Sequence, residues 1–522
     1  MIPLKTITRV MTLILLLLLS SFIQAQANEK IIYVPLDDRP VCLDYVQQSL
    51  NVSGYELVTP PAKLLANGNG SGRPEALWKW LSQNARNASI AVISTDSLVY
   101  GGLVASRIHE RSLYELAEMV SNFQTLKDEH PGLKLYAFST IMRTPRQSFG
   151  KVEPPYYTHY GSSIFALTQL FDKEDGYGLT SDEANQKKKL LKDIPKNHLD
   201  DWLDRRSKNL QVNHRLIDLL RKKTFHYLLI GKDDDAPLSQ TNLEGRKLIE
   251  DTIDLSAQRF KILSGVDQLG LLLLTRSVNE LRKADPFVYA FYSEGAGKNT
   301  LPLYSDQRLS SSVPDQIQAI GGNATELLEE ADLVLAINTP YDGLTKDSTA
   351  GDNLDFASPA NKRFIARIEE FLGGGKSVAI ADVAYSNGAD NGFLTEIAKR
   401  GLLSLPSAYS GWNTADNSIG FALAQGILAR HMREEDRLLL LKTRYLDDWI
   451  YQSNVRPMLT KALRKHGESL VYDFSGKQED VENAARSFFS YHSKRDPFLH
   501  DSTYIVTFPW NRLFEVKIAF TH

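Results

Sequence analysis

The stretch LIGKDDDAPLS, residues 229–239, sets three carboxylates, Asp233, Asp234 and Asp235, directly after an apolar run that reads as a buried strand. Acids in series ordinarily mark a solvated loop. At the end of a strand they admit another reading. Two carboxyl groups in unequal environments can divide the general-acid and supporting roles of glycoside hydrolysis. In substrate-assisted variants the second carboxylate steadies the substrate's own acetamido group, so neighbours in sequence can serve. Asp233 and Asp234 are therefore the candidate catalytic carboxyls, and Asp235 takes a supporting or solvated role.

Other polar clusters could line the same site. VPLDDRPVCLDY (34–45) carries Asp37, Asp38 and Arg39, a carboxylate pair beside a guanidinium that would keep at least one acid ionised. STDSLVYGGLVASR (94–107) adds Asp96 and Arg107, and Gly101-Gly102 permits close approach of backbone to a ligand or tight helix packing. Arg143 follows another apolar run. DVAYSNGADNGF (382–393) and AYSGWNTADNSIGFALAQG (408–426) offer Asp382, Asn387, Asp390 and Asn413 as directional hydrogen-bonding groups. Trp412 offers a flat apolar face for a sugar ring, and Asn417-Ser418 reads as a helix N-cap. Each cluster alone could be a capped strand-to-helix turn. Arginines join the acids, however, and caps do not need Arg.

Several chemistries are not indicated. The GxxxxGK[ST] phosphate loop and the GxSxG nucleophile elbow are missing, which argues against nucleotide binding and an α/β-type serine hydrolase. The eleven His show no HExxH, and Cys42 is the single cysteine, so zinc is not expected and no disulfide can form within the chain. An all-oxygen Ca²⁺ or Mg²⁺ site on the aspartates is an open alternative; no metal or other cofactor is assigned. The formal net charge is -3, with Lys and Arg scattered, so no nucleic-acid partner is expected.

Something must bring these clusters together. Nine short apolar runs recur: 31–36, 55–60, 89–95, 134–140, 226–231, 260–265, 287–293, 333–338 and 377–382. Most are followed by helix-like segments. That pattern predicts an α/β protein with parallel strands and a βα-repeat core, TIM-barrel-like or doubly wound. In either case the strand ends share one edge, where ligands bind. The catalytic βα-repeat region is expected over 28–284, with a charge-rich helical insertion at 171–225. A second, flavodoxin-like α/β region follows at 285–430, then a mixed helix and strand section at 431–522. Lys5 and Arg9, the run MTLILLLLL and Ala25-Gln26-Ala27 read as a secretory signal peptide over 1–27. The expected mature protein is secreted or periplasmic, cut after Ala27, with no stable membrane span.

VPLDDRP, DSLVYGGLVASR, LIGKDDDAP, DVAYSNGAD, GWNTADNSIG and the late PWNRLFEV (509–516) together resemble the bacterial domain of unknown function 4127 family over nearly the whole mature chain. The resemblance implies Gly-x-Asp-Asp, a variable polar residue, then Ala-Pro, so that Asp233 and Asp234 fall on family positions and Asp235 on the variable one. It also implies a link to amino-sugar and cell-wall sugar functions. The expected activity is an exported glycosidase-like hydrolase of glycans, N-acetylhexosamine-containing ones among them, with a small molecule or oligosaccharide as substrate. A metal-assisted hydrolase of ester, amide or phosphate bonds and a non-catalytic glycan-binding envelope protein are the alternatives.

Overall fold

A computed structural model describes residues 29–51, 54–68, 70–148, 151–500 and 503–521; the expected signal peptide, 1–27, lies outside them. Six apolar runs become β1 (Glu29–Val34), β2 (Tyr55–Val58), β3 (Ile90–Ser94), β4 (Lys134–Ile141), β5 (Tyr227–Lys232) and β6 (Phe260–Ser264). All pair in parallel, in the order β2-β1-β3-β4-β5-β6. The chain then builds β7 (Phe287–Tyr292), β8 (Asn323–Ala324), β9 (Leu333–Asn338), β10 (Lys346–Asp347), β11 (Val378–Asp382), β12 (Tyr385–Ser386) and β13 (Ala408–Ser410). Five of these make a second parallel sheet, β13-β11-β9-β7-β8, while β10 and β12 pair separately.

The protein is thus α/β with two open, doubly wound sheets; neither closes into a barrel. Read from its own first strand, each sheet has its second strand on one side of the first and its third on the other. No repetition in the sequence announces this shared winding.

Strand residues alternate between two cores. Ile31 and Tyr33 of β1 share a core with Leu335 and Ile337 of β9 and with Ala379 and Ala381 of β11. The middle of that core is filled by the helices Leu269–Arg282 and Ala415–Ala429. Every residue of the second helix is buried, as fits a helix covered on both sides by a sheet. Ile32 and Val34 face the opposite way, against Leu77, Phe123 and Leu216 of helices on the outer side. Val334 and Ile380 likewise point outward from the second sheet. The layers therefore alternate helix, sheet, helix, sheet, helix.

The charge-rich 171–225 region forms parts of three helices, Tyr157–Gly176, Ser181–Asp193 and Lys196–Arg221, between β4 and β5. The last is the crossover that covers the first sheet, with Val212, Leu216 and Ile217 in the core. Ser181–Asp193 buries no residue and sits outermost. The section 431–522 combines helices, a π-helical segment Tyr445–Val455 and an antiparallel hairpin, β14 (Tyr504–Thr507) with β15 (Lys517–Phe520). Tyr451, Phe489, Val506 and Ile518 pack it on the outer face of the second sheet. Among the described residues no helix is long and apolar enough to cross a membrane.

Candidate functional site

The site is built on loops leaving the carboxyl ends of the strands. After β1, Asp37 accepts Arg39 Nε at 2.9 Å through either oxygen. Arg39 Nη2 reaches on to Asp267 Oδ1, after β6, at 2.6 Å. Asp38 turns the other way and accepts the Trp510 indole N–H at 2.7 Å, which ties the first loop to the C-terminal section. Burial pushes Asp38 up to about 6, against the Trp510 hydrogen bond. Ser97 Oγ donates to the carbonyls of Pro35 and Leu36, at 2.6 and 3.0 Å, so the ends of β1 and β3 are stitched at the point where strand order reverses. In doubly wound sheets that is where ligands bind.

Asp96, 1% exposed, accepts Thr140 Oγ1 at 2.8 Å through one oxygen. Its other oxygen has no hydrogen-bond partner among the described residues. Burial, and secondarily the charge of Asp233, push Asp96 up to about 7, against the Thr140 bond. Arg107 Nη2 donates to Asp233 Oδ2 at 2.5 Å. Arg143 Nη1 donates to Asp234 Oδ2 at 2.7 Å. Between the two arginines lies Glu153, whose Oε1 accepts Arg143 Nε at 2.7 Å and Arg107 Nη1 at 3.4 Å. Burial and the Asp233 charge raise Asp234, against Arg143 and Arg107. Each buried ion loses several kcal/mol of hydration, and apolar residues of similar volume often hold a fold as well. Such a network is therefore weak evidence of stabilisation.

The Asp233–Asp235 turn is fixed from behind. Asp235, 1% exposed, takes Lys232 Nζ at 3.1 Å, the Ala236 N–H at 2.7 Å and Ser239 Oγ at 2.9 Å. Lys232 also pairs with Asp306 from the loop after β7. The Asp235 N–H donates to the Tyr304 carbonyl at 3.2 Å. Loops of the second sheet thus meet loops of the first. Asp267 repeats the theme, with Trp412 Nε1 and Asn413 Nδ2 each 3.5 Å from its Oδ2. The Asn387 N–H donates to the Asn413 carbonyl at 2.6 Å.

Backbone strain marks the same face. Among the described residues seven that are not glycine have positive φ. Lys223 and Lys283 end helices on other parts of the molecule; Asp234 (φ 40°), Tyr304 (69°), Asn387 (59°), Asn413 (59°) and Asn511 (50°) belong to these loops. Strained backbone of this kind collects at ligand sites, where surrounding structure holds it.

The structure therefore joins Asp37, Arg39 and Asn413 through Asp267, with Asn387 bonded to Asn413, and joins Arg107, Arg143, Asp233 and Asp234 through Glu153; Asp96, bonded to Thr140, lies within electrostatic reach of Asp233. It places other expected residues differently. Asp382 is fully buried, accepting Asn338 Nδ2 at 2.9 Å, the Asp390 N–H at 2.9 Å and Tyr409 Oη at 3.2 Å. Asp390 caps the helix Asn391–Lys399 by accepting the Phe393 N–H. Trp412 presents no open face: it is 2% exposed, with its ring against Phe514. The close approach at Gly101-Gly102 is to Gly72 and Ala66, a packing role. Thr414, not Asn417 or Ser418, caps its helix, and Asn417 Oδ1 instead accepts the Asp267 N–H at 3.2 Å. Glu153, Tyr304 and Arg456 escaped sequence reasoning because each sits well beyond a strand end, and Asp347 because its strand, β10, has only two residues; Trp510 was visible within PWNRLFEV, but nothing there linked it to Asp38. Among the described residues no group of three or more His, Cys, Asp or Glu is arranged to hold a metal ion.

Fold and site together define a two-sheet parallel α/β protein with an acid–arginine network where the carboxyl-end loops of both sheets meet. The profile of the family described as "Protein of unknown function (DUF4127)" matches residues 31–519, and the chain belongs to that family. No curated protein matches it.

Proposed function

We propose that the protein is a glycoside hydrolase acting on N-acetylhexosamine-containing glycans, with Asp234 as general acid and Asp233 as the carboxylate that steadies the acetamido group. The observation that carries this reading is the unequal setting of the pair. The Asp233 side chain is 7% exposed and bound to Arg107, whereas the Asp234 side chain, bound to Arg143, is 22% exposed and its carboxyl is raised above its ordinary value by burial and the Asp233 charge. A partly accessible carboxyl whose hold on its proton is strengthened by burial and by a neighbouring acid is suited to protonating a leaving oxygen. Its neighbour Asp233, fixed by the Arg107 guanidinium, is suited to orienting an amide N–H. The surrounding asparagines and acids offer donors and acceptors for sugar hydroxyls.

The test is a screen of nitrophenyl N-acetylhexosaminides and peptidoglycan fragments against the wild type, Asp233→Asn and Asp234→Asn. Turnover by the wild type that collapses in Asp234→Asn supports the assignment. Binding without turnover would leave a glycan-binding protein, and full activity in both variants would remove the pair from the chemistry. Export is part of the same reading, resting on the 1–27 segment; the N-terminal residue of the protein recovered from the cell envelope tests it.

A further inference from the structure

We propose that Tyr304, Asp347 and Arg456, with Asn387, form a second subsite that binds a neutral polyhydroxyl unit, so that the ligand spans at least two sugar units across both sheets. The proposal rests on the carbohydrate reading above and names where its second unit lies.

Tyr304 is the bridge. Its carbonyl accepts the Asp235 N–H at 3.2 Å, so it is anchored to the turn that carries Asp234. Its φ of 69° is unusual for a bulky residue. Its hydroxyl makes no hydrogen bond among the described residues, yet it lies within electrostatic reach of both Asp234 and Asp347, one from each half of the molecule. Asp347 accepts Asn387 Nδ2 at 2.8 Å and the Thr349 N–H at 2.9 Å. Arg456 is 9% exposed, and its Nη2 donates to the Asn387 carbonyl at 3.1 Å. Its Nε has no partner, and it makes no ion pair within 4.0 Å among the described residues. A buried guanidinium with an unused donor points to a group that arrives from outside.

The combination selects the ligand. An anion would meet Asp347, which Arg456 and hydrogen bonds from Asn387 and Thr349 hold below its usual value against burial. A cation would meet Arg456. A neutral unit carrying both donors and acceptors fits a phenol, an amide, a carboxylate and a guanidinium at once.

Calorimetry on the full chain with N-acetylglucosamine, chitobiose and chitotetraose tests this. The wild type is expected to bind the dimer and tetramer more tightly than the monomer. Tyr304→Phe and Arg456→Lys are each expected to cut that preference about tenfold, the loss of one hydrogen bond to a charged or buried partner. Tyr304→Phe removes a single oxygen, so it carries the test if Arg456→Lys does not fold. Variants that keep the wild-type preference overturn the subsite, as does a wild type that binds none of the three or favours the monomer. An altered preference without any turnover would overturn hydrolysis and leave the subsite. Loss of turnover in Asp234→Asn with an unaltered preference in Tyr304→Phe and Arg456→Lys would do the reverse.

Discussion

Asp233 and Asp234 are consecutive residues held by different arginines: Arg107 takes Asp233 at 2.5 Å and Arg143 takes Asp234 at 2.7 Å. The division follows from the left-handed φ of 40° at Asp234, which turns the chain so that one carboxyl is buried and the other is partly open. Two acids that a strand would have splayed to opposite faces are thereby set on one arginine-linked network.

Removal of the proton donor is expected to dominate. Asp234→Asn should lower kcat by ~10²–10⁴-fold, the usual contribution of a positioned general acid. Asp233→Asn should cost more with N-acetylhexosaminides than with the corresponding hexosides, since only the former have an amide to orient. Steady-state kinetics on matched nitrophenyl substrates measures both; equal losses on the two substrate types would rule out the acetamido role of Asp233.

Asp96 links pH to stability. Its carboxyl is raised from 3.8 to about 7 in the folded chain, so the native state binds the extra proton between those values. That contribution is fully present below pH 3.8 and is lost as pH rises towards and through 7. Asp96→Asn removes the dependence and keeps an oxygen for Thr140. Its thermal midpoint is expected to fall less than that of the wild type between pH 5 and pH 8, with a gain on the order of 2–4 kcal/mol at the upper end. Parallel pH profiles of the two proteins would contradict the shift.

Glu153→Gln takes one negative charge from between Arg107 and Arg143, leaving both guanidiniums freer to stabilise ionised Asp234. Asp234 should therefore lose its proton at lower pH. A general acid must be protonated to act, so the alkaline limb of the pH–rate profile should move to lower pH. A shift to higher pH, or none, would show that Glu153 does not tune the pair. The substitution should also destabilise by about 2–3 kcal/mol in urea unfolding, because Glu153 is fully buried and its arginine bonds weaken.

Gly102 has φ 121°, and a Cβ there would lie 2.6 Å from the Ala66 Cβ. Gly102→Ala is expected to destabilise by about 2–4 kcal/mol through backbone strain and overpacking. Gly132→Ala, where a Cβ meets nothing within 4 Å, is the matched control. Similar unfolding midpoints for the two variants would mean that the loop yields freely.

Much of the fold was legible because parallel strands covered on both faces are apolar along their whole length. All nine apolar runs became strands, and the acidic clusters fell at their ends. The unanticipated strands between 287 and 430, β8, β10, β12 and β13, have two or three residues, too few for any periodicity to register. Polar residues near strand ends were harder to sort. Asp382 and Asp390 resemble Asp96 and Asp234 in type and spacing, yet Asp382 is consumed by Asn338 and Tyr409 and Asp390 by a helix cap.

Local composition alone determined the element types, the family and the placing of Asp37, Asp96, Arg143 and Asp233 at strand ends, because helix and strand periods are short-range properties of a chain. Only tertiary structure decided that two sheets share a central helical layer and that Glu153 joins Arg107 to Arg143. It also decided that Trp412 lies buried against Phe514. Those outcomes depend on which distant residues a winding brings within hydrogen-bond reach, and no local spacing encodes a contact between Asp38 and Trp510.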